Sequence, residues 1–515
     1  MLAVGRFRDC SRASVMDLNT VALRADASAE IGRGHAARCR AVAVASRQRD
    51  LRVVLLSFDL PESLRHDFLT IGCHVADLRS PMDASDVARA LNAAAAAGPS
   101  TAMLVDHYGV DAAWQAEVRS SVGRLAAIED RPHRPHHLDL LIDAGGGDDR
   151  FLRYTELVPS DAQVVTGHDH AIIDPIYGRL HRRLPIGEGQ VRRVLVQLGS
   201  DRSNLAERVV RALAASDTPS LDIDVVLPGD HPFLPSVQGI ASEQGWQVHC
   251  DVTGIWSLYA HADLAVATPG VSVWERCALG VPSVVIETTA MHTAAYEDLG
   301  SSPAVTRLGP ATELDDASLR DALHRELRRE DLRSRSLACR SLIDGRGAHR
   351  VASLLTVGPS SRLQLRDARP DDEHRLLRWA NNRPRHVRPV DDVYTDPAEH
   401  HRSLVTQLRA IEDRQLYIVE DRWGTEVGLA SFARQGAVWN MSVTLGPGYR
   451  GRGLDRTIVD ISRRQLVGDA GTPCTIDTTV GTTDTAADRV LAGLGFEILA
   501  RDPDASAATY RWTTP

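Results

Sequence analysis

The chain contains no lysine, so all 59 of its basic residues other than histidine are arginines. Without lysine the protein can use neither Schiff-base chemistry nor a P-loop, whose phosphate contact is a lysine. Aromatic residues make up only 5% of the sequence and the net charge is -9. These values leave neither stacking platforms for bases nor a basic surface for phosphates, so we exclude nucleic acid as a partner.

The seven cysteines are scattered along the chain and form no CxxC pair. This distribution predicts reduced thiols rather than disulfides or a zinc site. No apolar run reaches membrane-spanning length, because Asp263, Glu275 and Arg276 interrupt the best candidate. The first fifteen residues lack the apolar centre of a signal peptide, and residues 1–16 are predicted to be an N-terminal extension. We expect a cytoplasmic protein that needs no metal and binds no membrane.

A length of 515 residues predicts two or three domains. Short apolar runs alternate with helical segments in two successive series, which indicates parallel sheets covered by helices. The first series of predicted strands is Val21–Arg24, Arg52–Ser57, Cys73–Asp77, Ala102–Asp106, Leu125–Glu129 and Leu138–Asp143. The second is Val194–Leu198, Ile223–Leu227, Gln247–Asp251, Leu264–Thr268 and Ser283–Ile286. The prediction is an α/β protein with two Rossmann-like lobes, residues 17–186 and 187–357, and a ligand cleft at the carboxyl ends of their strands.

A third unit is predicted at residues 363–515. It follows a charged helical stretch, Asp316–Ile343, and a linker with glycine, proline and serine at Val357–Arg362. Its predicted strands Leu416–Glu420, Val427–Phe432 and Val438–Leu445 follow one another closely, as in an α+β domain. We expect each side of the linker to have its own core and to fold separately.

A loop rich in glycine precedes the first helix, with the sequence Arg24-Ala-Asp26-Ala-Ser28 and then Gly32-Arg-Gly34-His35-Ala-Ala-Arg38. Glycines allow backbone amides to approach a phosphate at a helix N-terminus. Histidine is the side chain best suited to general acid–base chemistry, so His35 is a candidate general base, with Arg38 one turn away on the same face. Asp26 and Asp106 lie at strand ends and are candidates to orient His35 or bind a sugar hydroxyl. The alternatives are a histidine that caps the helix and carboxylates that are solvated.

The loop sequence closely resembles the opening of the UDP-2,4-diacetamido-2,4,6-trideoxy-β-L-altropyranose hydrolases of pseudaminic acid biosynthesis, which are relatives of the MurG-type GT-B glycosyltransferases. Other strings fall in the same order as in that family: Val105-Asp106-His107-Tyr108-Gly109, Glu129-Asp130, and Gly270-Val-Ser272-Val-Trp274-Glu275-Arg276-Cys277-Ala-Leu-Gly280-Val-Pro282. The resemblance covers roughly residues 17–350. It implies a GT-B-like fold and hydrolysis of the bond between sugar and UDP at the anomeric carbon.

The resemblance also implies roles for individual residues. His35 corresponds to the favoured catalytic histidine, and Glu275 to the residue that holds the ribose of the nucleotide. The expected substrate contacts are completed by Gly34, Arg38, Tyr108, Gly270 and Ser272, the last two at a helix start whose amides can face the diphosphate. Two alternatives stay open, namely a GT-B glycosyltransferase that passes the sugar to an acceptor and a nucleotide-sugar-binding regulator without turnover.

The third unit contains Tyr449-Arg450-Gly451-Arg452-Gly453-Leu454-Asp455. This string resembles the pyrophosphate loop of the GNAT family of N-acyltransferases. The resemblance implies that acetyl-CoA is held by Arg450, Gly451, Arg452 and Gly453 and that a sugar amine is acetylated. Two positions depart from the pattern: Asp455 replaces a small residue, and Leu491 stands where the family has a tyrosine general acid. A relic domain without activity is the alternative.

Overall fold

The structure is a computed structural model that describes residues 18–27, 33–146, 150–199, 201–216, 221–288, 302–381, 397–410, 412–471, 473–481, 485–502 and 507–514. The predicted N-terminal extension, residues 1–16, lies outside these ranges.

The first lobe is built on a seven-stranded parallel sheet. Its strands are β1 (Thr20–Arg24), β2 (Arg52–Ser57), β3 (His74–Asp77), β4 (Gly98–Val105), β5 (Val122–Ile128), β6 (Leu140–Asp143) and β7 (Gln163–Thr166). Its helices are α1 (Gly34–Arg47), α2 (Glu62–Thr70), α3 (Ala84–Ala93), α4 (Ala112–Val118) and α5 (Pro175–His181). The strand order is β3-β2-β1-β4-β5-β6-β7. The order reverses between β1 and β4, so the loops after these two strands border a crevice where ligands bind in such sheets.

The second lobe repeats this plan with six parallel strands. They are β8 (Arg193–Gln197), β9 (Asp222–Leu227), β10 (Gln247–Cys250), β11 (Leu264–Ala267), β12 (Ser283–Glu287) and β13 (Val305–Pro310), in the order β10-β9-β8-β11-β12-β13. The helices are α6 (Leu205–Ala214), α7 (Leu234–Gln244), α8 (Trp256–Tyr259), α9 (Ser272–Leu279), α10 (Asp316–Leu327), α11 (Leu332–Leu342) and α12 (Gly347–Thr356). The order reverses between β8 and β11, which places the loops after these strands at the second crevice.

Both parallel sheets are covered on both faces, which is why their strands are almost continuously apolar. In β1, Val21 and Leu23 belong to one hydrophobic core and Ala22 to the core on the opposite face. In β8, Val194 and Leu195 divide between two cores in the same way. The predicted class of two Rossmann-like lobes is thereby confirmed.

The predicted helical stretch Asp316–Ile343 is confirmed, and within it the chain forms two helices, α10 and α11, with a turn between them. Leu319 and Leu323 of α10 pack into the core on one face of the second sheet. Cys339 of α11 packs into the core on the other face. A single straight helix cannot cover both faces of a sheet, so the chain has to turn between them.

The third unit is α+β, as predicted. Its strands are β14 (Leu363–Asp367), β15 (Arg414–Asp421), β16 (Glu426–Gln435), β17 (Val438–Leu445), β18 (Thr475–Gly481), β19 (Glu497–Asp502) and β20 (Ala507–Thr513). Its helices are α13 (Glu373–Asn381), α14 (Pro397–Arg409), α15 (Asp455–Ala470) and α16 (Thr485–Ala492). The strand order is β14-β15-β16-β17-β18-β20-β19, and all neighbouring pairs are antiparallel except β17 with β18.

Each side of the linker contains hydrophobic cores of its own, and a further core is shared between the two sides, so separate folding stays a prediction. One continuous core contains Val21 and Val165 of the first lobe, Leu355 of α12, and Leu445 and Leu454 of the third unit. Helix α12, the last element before the linker, packs on α1 of the first lobe. The linker is short, so the third unit is held against α12 and shares its apolar surface.

Candidate active site

Three of the predicted catalytic and binding residues meet at the reversal point of the first sheet. Asp106 directly follows β4, and its backbone N–H donates to the carbonyl oxygen of Arg24 at the end of β1 (2.9 Å). Helix α1 begins at Gly34 and presents His35 and Arg38 one turn apart. The crossover from β1 into α1 therefore delivers a histidine and an arginine to the aspartate at the end of β4.

The Asp106 carboxylate joins the other two side chains. Its Oδ1 lies 2.6 Å from His35 Nδ1. Arg38 donates from Nε to Oδ2 (2.8 Å) and from Nη2 to Oδ1 (2.6 Å), which is a two-pronged guanidinium–carboxylate contact. All three side chains are buried. Because the carboxylate is gripped by three hydrogen bonds, it holds the imidazole in a fixed orientation.

The charge of Asp106 fixes the role of each imidazole nitrogen. Burial by itself raises the pKa of Asp106, but the Arg38 charge and the His35 hydrogen bond outweigh burial and lower it. An ionised carboxylate can only accept, so His35 Nδ1 carries the proton and donates to Asp106. The basic nitrogen of neutral His35 is then Nε2, as in a general base whose far side is held by an acid.

Tyr108 and Asp130 form the wall next to His35. The Tyr108 ring meets the His35 ring edge-on at 4.6 Å between centroids, and its hydroxyl donates to the Asp130 carboxylate (3.1 Å). Burial and the Asp130 charge raise the pKa of Tyr108 to about 12, so the phenol stays protonated. Arg131 stacks 4.7 Å above the centroid of the same ring. Tyr108 remains 40% exposed, which leaves it able to touch a bound molecule.

Asp26 is held by partners other than His35. Arg24 binds both of its oxygens, at 2.6 and 2.8 Å. The Ser57 hydroxyl (3.1 Å) and the Phe58 amide (2.8 Å) also donate to it, and His107 Nε2 lies 3.3 Å away. Of the two aspartates considered from the sequence, Asp106 contacts His35, while Asp26 ties together the loops after β1, β2 and β4.

The sequence reasoning missed the part played by Arg134. Its Nε donates to the buried carboxylate of Glu129 (2.8 Å), and its other nitrogens donate to the backbone carbonyls of His107, Tyr108 and Val110. One guanidinium thus holds the turn that carries Tyr108. The only clue in the sequence was the position of Glu129 after β5, because the backbone contacts of an arginine leave no pattern.

The second lobe places the other predicted residues at its own reversal point. Gly270 and Ser272 follow β11, and α9 begins at Ser272. Glu275 lies one turn into this helix, and burial raises its pKa to about 7. The hydroxyls of Tyr177 and Tyr259 form hydrogen bonds with it, which lower the pKa and partly offset burial. Arg276 supports the helix start from below, donating to Ser272 Oγ (3.1 Å) and Ser283 Oγ (2.9 Å).

The predicted pyrophosphate loop of the third unit follows β17. Gly451 and Gly453 have φ angles of +70° and +69°, which glycine adopts without strain, and α15 begins at Asp455. Arg450 Nε donates to the carbonyl of Leu445 (3.2 Å). Arg452 is buried beneath the loop and its guanidinium contacts the first lobe and α12. The four predicted residues therefore do not share one surface.

Comparisons with known proteins show where the chain has relatives. No family model matches it. It is 23% identical over 261 residues to the spore coat polysaccharide biosynthesis protein SpsG of Bacillus subtilis, covering 49% of this chain and 75% of that protein. MurG of Acinetobacter baumannii matches 65% of this chain and 99% of its own, with 14% identity and a TM-score of 0.48. The spermidine/spermine N-acetyltransferase SpeG of Vibrio cholerae matches 30% of this chain and 95% of its own, with 13% identity and a TM-score of 0.26.

The described residues contain no group of three or more histidine, cysteine, aspartate or glutamate side chains placed to hold a metal ion. None of the described helices is both long and apolar enough to span a membrane.

Proposed function

We propose that the two lobes hydrolyse a UDP-linked diacetamido-trideoxy sugar of the pseudaminic acid type, releasing UDP and the free sugar. The observation that carries the proposal is the His35–Asp106 pair at the reversal point of the first sheet, 2.6 Å apart and buried. A histidine held in this way presents Nε2 as a base, which is what activation of a water molecule needs.

In the proposed reaction His35 Nε2 takes a proton from a water molecule whose oxygen attacks the anomeric carbon. The new carbon–oxygen bond forms as the bond from that carbon to the β-phosphate oxygen breaks, and the electron pair of the broken bond leaves with UDP. Asp106 stabilises the imidazolium through the Nδ1 proton, while Arg38 keeps the carboxylate in place. General base help of this kind contributes on the order of 10²–10⁴-fold in rate.

The second lobe supplies the contacts to UDP in this proposal. The first amides of α9 and its dipole favour the diphosphate, with Gly270 leaving room for close approach. Glu275 accepts hydrogen bonds from the ribose hydroxyls. Handling of an activated sugar agrees with the name of the Bacillus subtilis relative, which refers to polysaccharide biosynthesis.

Incubation of the purified chain with the UDP-sugar alone, in water enriched in heavy oxygen, tests the reaction. We expect UDP and free sugar, with the heavy oxygen in the sugar, because the attack is at the anomeric carbon. Label in UDP would mean attack at phosphorus and contradict the mechanism. An intact donor that is consumed only after an acceptor is added would identify the alternative, a GT-B glycosyltransferase.

For the third unit we propose an acetyl-CoA-dependent N-acetyltransferase that acts on a sugar amine. Strands β17 and β18 pair over Val438–Asn440 and Thr475–Asp477. Beyond these residues β17 stays paired with β16 as far as Leu445, and β18 with β20 as far as Gly481. The two parallel strands therefore separate toward the loop that follows β17. Main-chain groups along such an opening suit an extended, amide-bearing chain such as pantetheine.

The residues around this opening fit acetyl-CoA in part. Acetyl-CoA supplies an activated acetyl group and a thiol that leaves. The left-handed Gly451 and Gly453, Arg450 and the start of α15 would hold its pyrophosphate. Leu491 packs in the core of the third unit, so it takes no part in proton transfer. Release of the CoA thiol in the presence of an amino sugar tests the activity, and its absence would favour a relic domain.

A further inference from the structure

The loop of residues 446–454 lies in the contact between the third unit and the first lobe. The segment Pro447–Tyr449 packs against β7, the edge strand of the first sheet. A Cβ added at Gly448 would come within 2.2 Å of Leu354 Cδ2 and 2.9 Å of Val165 Cγ1. A larger residue here would force these two side chains to move, so the start of the loop fits closely against α12 and β7.

Arg452 is the arginine of this loop that is buried in the contact. Its Nη1 donates to the carbonyl oxygens of Leu354 (2.7 Å) and Val357 (3.2 Å). Its Nε and Nη2 donate to Gln163 Oε1 on β7, at 3.3 and 3.1 Å. Every nitrogen of the guanidinium thus has an acceptor outside the third unit, and only 6% of the residue is exposed.

The acceptors explain why a cation is placed here. Helix α12 ends at Thr356, so the carbonyls of Leu354 and Leu355 lack partners within the helix and carry the negative end of its dipole. Arg124 of β5 donates to the same two carbonyls, at 3.0 and 3.3 Å. Two arginines from different units therefore satisfy one helix end. Burial and the Arg124 charge lower the pKa of Arg452, because burial removes the cation from water and Arg124 repels it.

Other parts of the interface hold the third unit in the same position. The Tyr449 hydroxyl donates to Ser353 Oγ on α12 (2.8 Å), and Ser353 Oγ donates to Asp421 at the end of β15 (2.8 Å). Arg49, which follows α1, reaches the same Asp421 carboxylate at 2.7 Å, and both side chains are buried. The first lobe, α12 and the third unit are therefore joined by apolar, neutral polar and ionic contacts together.

We propose that Arg452 is a docking residue, which fixes the third unit on α12 and β7, and not a ligand of the CoA pyrophosphate. Each nitrogen of its guanidinium donates to an acceptor from the first two lobes, whereas the sequence pattern alone assigns it to the cofactor. The cofactor part of the inference rests on the proposed acetyl-CoA site, and it leaves the contact with the pyrophosphate to Arg450 and the loop amides. The docking part depends only on the contacts.

A matched pair of variants in the full chain, Arg450→Met and Arg452→Met, tests the inference, because both remove one guanidinium from the same loop. For Arg450→Met we expect at least tenfold weaker acetyl-CoA binding by calorimetry and a smaller drop in unfolding temperature than for Arg452→Met, since its Nε donates to Leu445 within its own unit. For Arg452→Met we expect affinity within about threefold of wild type, a lower unfolding temperature, and faster hydrogen exchange in β7 and the end of α12 but not in the second sheet. Gln163→Ala, on the opposite side, should speed exchange in residues 449–454 in the same way.

Arg452→Met that loses acetyl-CoA binding while its unfolding and exchange stay as in wild type would overturn the proposal. If Arg452→Met does not fold, Gln163→Ala and Arg452→Lys decide it: unchanged exchange across the interface in both would contradict docking. If wild type itself binds no acetyl-CoA, the proposed acetyltransferase fails, whereas the docking role is still judged by unfolding and exchange.

Discussion

At the scale of single residues, Asp106 connects the arginine and the histidine of the candidate site, Arg38 and His35. A buried carboxylate with one partner is costly, but here Arg38 and His35 together supply three hydrogen bonds. In this arrangement the Arg38 charge has a structural role and the His35 imidazole has the proposed chemical role. Arg38 neutralises the Asp106 carboxylate permanently. The Arg38–Asp106 ion pair therefore stays in place while His35 takes up and releases a proton in the proposed reaction.

If His35 and Asp106 act as one unit, their substitutions should not be additive. We expect His35→Ala and Asp106→Asn each to slow UDP release on the order of 10²–10⁴-fold, and the double variant to be no slower than the worse single one. Initial rates on folded protein measure this. Tyr108→Phe is the matched control, since it keeps the ring against His35 and removes only the hydroxyl, and it should retain a rate within about tenfold of wild type. Multiplied losses in the double variant would contradict the pairing.

Glu275 should make UDP binding depend on pH. Its pKa of about 7 means that it is mostly protonated at pH 6 and mostly ionised at pH 8. The ionised form accepts stronger hydrogen bonds from ribose hydroxyls, so affinity should rise with pH by roughly tenfold. The phosphates of UDP titrate in the same pH range and affect both proteins alike. Dividing the UDP affinity of wild type by that of Glu275→Gln at each pH, both measured by calorimetry, removes this effect. If this ratio of affinities stays constant from pH 6 to pH 8, Glu275 does not bind the ribose.

At the scale of elements, the sequence predicted what depends on local pattern and missed what depends on distant partners. β2 and β17 were predicted with the observed bounds, because each is a run of strand formers bounded by polar or glycine-containing segments. β7 was missed because it has only four residues, and because one of its neighbours is the 446–454 loop, which lies more than 250 residues further along the chain. A contact between such distant segments leaves no local pattern in the sequence. The break between α10 and α11 was missed because periodicity does not report which face of a sheet a helix covers.

The candidate site divides in the same way. The loop glycines, His35 and the two aspartates could be found from the sequence, since they follow strands or precede helices at the reversal points. The pairing of His35 with Asp106 rather than Asp26 could not, because both aspartates end neighbouring strands. Arg24 binds both oxygens of Asp26, so Asp26 is held away from His35 and Asp106 pairs with it instead. This role of Arg24 is visible only in three dimensions.

Arg134 should matter for rate more than for nucleotide affinity, because it holds the turn after β4 and the proposed UDP contacts lie in the second lobe. We expect Arg134→Met to slow UDP release roughly tenfold, with UDP affinity within about twofold of wild type. Arg134→Lys keeps the charge beside Glu129 but loses the forked contact with the turn, so it should recover only part of the rate. Full activity in Arg134→Met would show that the turn keeps its shape without the hydrogen bonds from Arg134.

At the scale of the whole molecule, the third unit packs on the first lobe and shares a hydrophobic core with it. Arg49 and Asp421 form a salt bridge of 2.7 Å across the contact with both side chains buried, and Arg346 donates to Glu426 at 2.8 Å nearby. A buried ion pair that loses one member costs about 3–5 kcal/mol, because the remaining charge is left without a partner. The two proposed activities are therefore joined by a buried interface as well as by a linker.

Truncation should reveal this dependence. A chain ending at Val357 would leave Val165 and Leu355 uncovered and Arg49 without its carboxylate, and each exposed large apolar side chain costs about 1.5–3 kcal/mol. We expect this chain to aggregate or to unfold at a clearly lower temperature than the full chain, as measured by gel filtration and calorimetry. Cutting the full chain at a protease site inserted at the exposed Ser360 is the control. The two pieces should elute together and unfold in one transition, because the interface rather than the peptide bond holds them. A soluble truncated chain with the unfolding temperature of the full chain would mean that the shared core contributes little, and that the separate folding expected from the linker was correct after all.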